Sequence, residues 1–92
     1  FTLSNTIMLG AIKAIGESSL RIPEDISILS YDNNLFLDFM HPSITRISQP
    51  TKEISQLAVK GLMERMSNPD MPPKQIKMPA QIIEGHSIKK LL

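Results

Sequence analysis

Residues 25–34 read DISILSYDNN, an apolar segment that runs into a polar cluster. Ile26, Ile28 and Leu29 suit a buried strand, and Tyr31, Asp32, Asn33 and Asn34 close it. Upstream, Pro23 lacks a backbone donor and keeps Ile22 out of helical conformation, so the strand is expected to begin at Ile26. Before that break, from Thr6 to about Ser18, Met8, Ala11, Ile12 and Ile15 recur at helical spacing, and Lys13 and Glu17 form an i,i+4 pair on another face. Ser4 and Asn5 suit the start of this helix. Phe1–Leu3 reads as the end of an earlier strand, with Phe1 as a cut in a longer chain. Strand, helix and strand joined this closely form a βαβ unit, whose strands run parallel. The expected fold class is α/β.

Ligands of open parallel sheets bind beyond the carboxyl ends of the strands, where helix N-termini also point their N–H groups. Asp32 is expected at such an end, with Ser4 and Asn5 on the same rim. A carboxylate there can accept hydrogen bonds from neighbouring ligand hydroxyls, as in sugar binding. The competing reading is a plain turn, because Asp and Asn bond their own backbone and tolerate left-handed conformations.

Downstream, Leu35–Met40 is more apolar than a solvated loop, which suits either a partner surface or packing under the chain's own helix. Pro42–Ile47 reads as a short strand ended by Gln49 and Pro50. From Thr51 to about Met66, Ile54, Leu57, Ala58 and Leu62 mark a second helix, with Thr51 as its cap and Glu53 suiting the positive end of its dipole. Asn68-Pro69-Asp70 stops it. Gln75–Met78 and Gln81–Glu84 are brief strand candidates separated by Pro79.

Composition narrows the function classes. The 92 residues are 41% hydrophobic, enough for one small core, and a net charge of +1 gives no electrostatic case for a nucleic-acid or membrane surface. Without cysteine there is no disulfide framework, thiolate nucleophile or cysteine zinc site. No apolar run approaches the roughly 20 residues of a bilayer span. His41 and His86 stand alone, the four glycines are scattered, and no nucleophile elbow occurs, so neither an enzyme nor a metal or cofactor site is expected.

Taken in order, GAIKAIGESSLRIPEDISILSYDNN, HPSITRISQPTKEISQLAVKGLMERM and MPAQIIEGHS resemble the C-terminal part of a lactose-repressor (LacI/GalR) family transcriptional regulator, over nearly the whole chain. The resemblance implies a partial periplasmic-binding-protein-like (type I) fold, a parallel sheet with flanking helices from a domain whose two lobes close on a small ligand. It places residues 1–48 in the C-terminal lobe, 49–79 in a segment crossing to the N-terminal lobe, and 80–92 in a return strand and tail. It makes Asp32 the leading effector contact, followed by Ser4, Asn5 and the crossover residue Gln49. Phe36, Phe39 and Met40 become candidate anchors of a homodimer. The implied effector is a sugar or sugar phosphate, and operator DNA would be reached only through an N-terminal helix-turn-helix domain that these residues do not contain. Such a protein is cytoplasmic and needs no membrane. The alternative with similar lobes is a periplasmic or secreted sugar-binding protein of a transporter. The chain departs from the family pattern at Ser4-Asn5, where Asn-Asp is usual, and at Ser30, Arg46 and Gly85, where glycine, threonine and arginine are common.

Overall fold

The computed structural model describes residues 1–91. Helix α1 (Asn5–Glu17) begins where Ser4, in extended conformation, accepts a hydrogen bond on its hydroxyl from the Ile7 N–H at 3.2 Å. Its Met8 is fully buried, and Ala11, Ile12 and Ile15 pack beside it, the face expected from their spacing. Ser18 ends the helix by donating its hydroxyl to the Ala14 carbonyl at 2.9 Å.

The connector that follows is a tight loop closed on itself. Asp25 accepts the Arg21 backbone N–H at 2.8 Å and its Nε at 3.1 Å, while the N–H groups of Asp25 and Ile26 return to the Arg21 carbonyl at 2.9 and 3.2 Å. This loop commits the backbone as far as Ile26, so strand β1 (Leu29–Tyr31) starts later than expected. Ile26 is consequently 39% exposed and takes no part in the core, whereas Ile28 is buried.

Strand β2 (Thr45–Ser48) runs parallel to β1 with Ser30 opposite Arg46. Thr2 extends the sheet on the other side of β1 through a parallel bridge to Ser30, with Thr2 N–H donating to Leu29 O and Tyr31 N–H to Thr2 O. This is the parallel βαβ arrangement expected from the sequence. Strand β3 (Gln81–Ile83) joins the far side of β2 antiparallel, pairing Ser48 with Gln81 and Arg46 with Ile83. Between β1 and β2 a 3-10 helix (Leu35–Asp38) inserts Leu37 into the core beside Met8, Ile28 and Ile44. Each of these buried apolar side chains contributes about 1.5–3 kcal/mol.

The chain divides into two units, Phe1–Gln49 with the residues from Gln81 onward, and Pro50–Ala80. In the second, helix α2 (Thr51–Ser67) starts from Pro50 with no side-chain cap. Thr51 is therefore the first helical residue and not the expected cap; its carbonyl accepts the Ser55 hydroxyl at 2.7 Å. Glu53 and Arg65 lie in the first and last turns, where each complements the helix dipole. No residue of α2 is buried, and Leu57 and Leu62 are 39% and 60% exposed. Ile54, Leu57 and Ala58 line a shallow groove with Ile76 and Met78, and Lys74 reaches Glu64 at 3.7 Å. The expected strand over Gln75–Met78 is absent: the segment is irregular and mostly exposed, lying between prolines that cannot donate to a ladder.

The C-terminal stretch locks the first unit. The fully buried Ser87 hydroxyl donates to the Ile28 carbonyl at 2.6 Å and accepts the Thr45 N–H at 2.8 Å. Gly85 lies so close to the Ser43–Ile44 backbone that an added Cβ would sit 2.4 Å from the Ser43 carbonyl oxygen. The backbone around Gly85 leaves no space for a side chain.

Gly85→Ala should therefore destabilise the protein by about 1–3 kcal/mol in urea unfolding, through overpacking against rigid backbone. Ser87→Ala should cost about 2–3 kcal/mol, since it orphans one buried donor and one buried acceptor. The Asp25 carboxyl titrates below its ordinary range, chiefly because of the Arg21 side-chain hydrogen bond and then the Arg21 backbone N–H. A depressed folded value means its contribution is present above about pH 4 and is lost as pH falls through the folded pKa. Asp25→Asn should flatten that part of the acid limb in a pH series of thermal melts.

Candidate functional site

Three chain ends meet on one edge of the first unit because β1, β2 and the Thr2 segment run the same way. Each parallel strand delivers the residue after it to that edge: Ser4 and Asn5 after Thr2, Asp32 after β1, and Gln49 after β2. Antiparallel β3 begins there, with Gln81 opposite Ser48.

Asp32 is the centre of the group. It has φ of 83°, a left-handed conformation that Asp and Asn adopt far more readily than other non-glycine residues. Its N–H donates to the Ile47 carbonyl at 2.9 Å, which continues the parallel ladder by one bond and fixes the turn. The carboxylate is thereby held over the end of β2, where its Oδ1 accepts Gln49 Nε2 at 2.6 Å. Asp32 and Gln49 are both half-buried. The expected left-handed turn is present, and it is what directs the carboxylate toward Gln49.

The other expected site residues divide. Asn5 is tied to β1, its Oδ1 accepting the buried Ser30 hydroxyl at 3.3 Å. Ser30 thus anchors the Asn5 amide. Ser4 turns its hydroxyl to its own helix and serves as the cap. Among the anchors expected for a partner, Phe36 and Met40 are partly buried against the core, while Phe39 is 79% exposed and its neighbour Leu35 82% exposed.

Arg46 is the residue whose role the sequence did not disclose. Its side chain is only 4% exposed, yet each of its nitrogens is engaged: Nε donates to Asn33 Oδ1 at 3.0 Å, one terminal nitrogen to the Ile44 carbonyl at 3.1 Å, and the other to Asp38 Oδ1 at 2.8 Å. The fork of the guanidinium lets one side chain reach three segments, which a lysine cannot do. A basic residue inside a short strand of buried pattern was the available signal; its acceptors, spread over residues 33–44, only the fold could supply.

The Asp32 and Gln49 side chains set an anionic acceptor beside an amide donor at the end of β2, and Asn5 follows the Thr2 segment on the same edge of the sheet. This set suits a neutral, polyhydroxylated ligand: the carboxylate accepts from hydroxyls and the amide groups donate to them. Among the described residues, no group of three or more acidic, histidine or cysteine side chains could hold a metal ion.

A profile of the periplasmic binding protein-like domain matches residues 1–88. The HTH-type transcriptional repressor PurR of Vibrio atlanticus is 32% identical over 91 residues, covering 99% of this chain and 27% of that protein. The ribose operon repressor of Haemophilus influenzae is 41% identical over 70 residues, 76% of this chain and 21% of that protein. Among solved structures, a LacI family transcriptional regulator from Enterococcus faecalis V583 with bound ribose superposes with a TM-score of 0.87 at 31% identity, covering 97% of this chain and 33% of that one. The chain spans about a quarter of the length of the curated relatives it matches.

Proposed function

The chain belongs to the periplasmic binding protein-like domain family, and on that premise we propose that it is the effector-contacting and dimer-forming portion of a sugar-responsive transcriptional repressor. The observation that carries this reading is the Asp32–Gln49 pair at the carboxyl ends of the parallel strands. Asp32 accepts hydrogen bonds from two ligand hydroxyls, Gln49 keeps the carboxylate oriented, and the Asn5 amide supplies a donor from the neighbouring segment. Ser4 stays with its helix and acts by fixing where Asn5 begins.

Ribose is the first effector to try, with a sugar phosphate the next. The Enterococcus faecalis regulator was solved with bound ribose, as was a second LacI family regulator from Enterococcus faecium at 29% identity, and the Haemophilus influenzae relative is a ribose operon repressor. The relatives at high coverage of this chain are repressors, which favours a regulator over the solute-binding component of a transporter. Residues 1–48 and 80–92 belong to the C-terminal lobe of the effector domain, and residues 49–79 cross to the N-terminal one. No helix among the described residues is long and apolar enough to cross a membrane. The parent protein acts in the cytoplasm as a homodimer and reaches operator DNA through a helix-turn-helix domain beyond this chain. Effector binding changes operator affinity by favouring one arrangement of that dimer.

In the full-length protein, Asp32→Ala should weaken ribose binding at least about 30-fold in calorimetry, the loss of two hydrogen bonds to a charged acceptor. Operator binding without ribose should persist. Asp32→Asn, which tolerates the same backbone, separates charge from geometry; ribose binding of wild-type strength in both variants would remove Asp32 from the site. Phe39→Ser should weaken the dimer about tenfold or more in sedimentation equilibrium, as loss of an aromatic anchor does. An unchanged dimer would place the interface elsewhere.

A further inference from the structure

We propose that Arg46 is the positioning residue through which the ligand-side turn at Asp32 controls the exposed 3-10 segment at Leu35–Phe39. This inference rests on the reading of Asp32 as an effector contact and adds to it a route out of the site. The route is set by three bonds. The Arg46 fork holds Asn33, the residue next to Asp32, at one prong and Asp38, the last residue of the 3-10 helix, at another, with the third fixed on the Ile44 carbonyl at the foot of β2.

Three features make this fork a transmitter more than a general stabiliser. First, Arg46 lies in the central strand, with β1 on one side and β3 on the other, so its own backbone is held by the sheet. Second, its two moving partners are exposed: Asn33 lies at the surface and the Asp38 side chain is 60% exposed, so neither needs Arg46 in order to be solvated. Third, both partners sit in segments without a sheet ladder. The turn and the 3-10 helix are joined in sequence only by Asn34, which caps the helix by accepting the Phe36 N–H at 3.3 Å. A displacement of Asp32 on ligand engagement moves Asn33, and the planar guanidinium carries that change to Asp38 and hence to Phe39, whose N–H bonds to Phe36 O.

The test uses the full-length protein, D-ribose as probe, calorimetry for binding and hydrogen exchange of a peptide beginning at Leu35 as the readout of the far end. In the unaltered protein, ribose should slow exchange in that peptide about threefold or more. Arg46→Met keeps the volume and removes the fork; Asp38→Ala, at an exposed position, cuts one prong without touching the strand. Both should bind ribose within about threefold of the unaltered protein while the ribose-induced protection at 35–40 disappears, and the double variant should be no worse than either single one. Asp38→Glu should restore it. A merely structural role for Arg46 would change exchange equally with and without ribose. Ribose-induced protection that survives in both Arg46→Met and Asp38→Ala overturns this inference and leaves the site reading intact. Failure of the unaltered protein to bind ribose or a sugar phosphate overturns the site reading and this inference with it.

Discussion

The first unit depends on one buried hydroxyl. Ser87 bonds the carbonyl that precedes β1 and the N–H that opens β2, and so sets those strands level with each other. A slip of one residue between them would turn Arg46 out of the interior and move Asp32 off the end of the ladder. Around Ser87 the fit is tight. Gly85 N–H donates to Thr45 Oγ1 at 3.0 Å, His86 N–H to Ser43 O at 2.8 Å, and no room remains for a Cβ at Gly85. The tail residues are distant from β1 in sequence, so the level of the sheet is decided late in the chain. Local propensity at β1, a strand of three residues, could not have decided it alone.

What could be read from the sequence follows the range of the forces involved. The α1 stripe and the Pro23 break come from interactions within a few residues, and the structure has both; the Tyr31–Asn34 turn was signalled locally by its Asp and Asn residues and is fixed by the distant Ile47 carbonyl. Errors arose where a neighbour distant in sequence, or a competing local bond, took precedence. Ile26 looks like a strand residue until the Arg21–Asp25 loop claims its N–H. Thr51 looks like a cap until Pro50 is found in the capping position. Arg46 looks like an exception until Asn33 and Asp38 close on it. The apolar segment at Leu35–Met40 packs under its own chain at Leu37, which is fully buried, while Phe39 stays exposed.

The site joins two kinds of control that are usually separate. Backbone conformation at Asp32 is held by its N–H bond to Ile47, while the side chain is held by Gln49. Since both of those residues belong to β2 or its immediate end, the Asp32 carboxylate takes its position from the central strand. The same strand carries Arg46. Orientation of the carboxylate and the contact to the surface segment therefore share one rigid reference.

The pairing of Ser48 with Gln81 has a topological meaning as well. These residues lie next to the points where the chain leaves the first unit and comes back to it. In an antiparallel ladder such partners stand about 5 Å apart. The whole of Pro50–Ala80 is thus formally the loop of a β-hairpin, enlarged until it contains a helix of its own. An insertion with adjoining ends strains nothing at its base, and its closure cost grows only slowly with length. The chain therefore leaves and re-enters the first unit at neighbouring points of one ladder, so the position of both crossings is set by the same β2–β3 pairing.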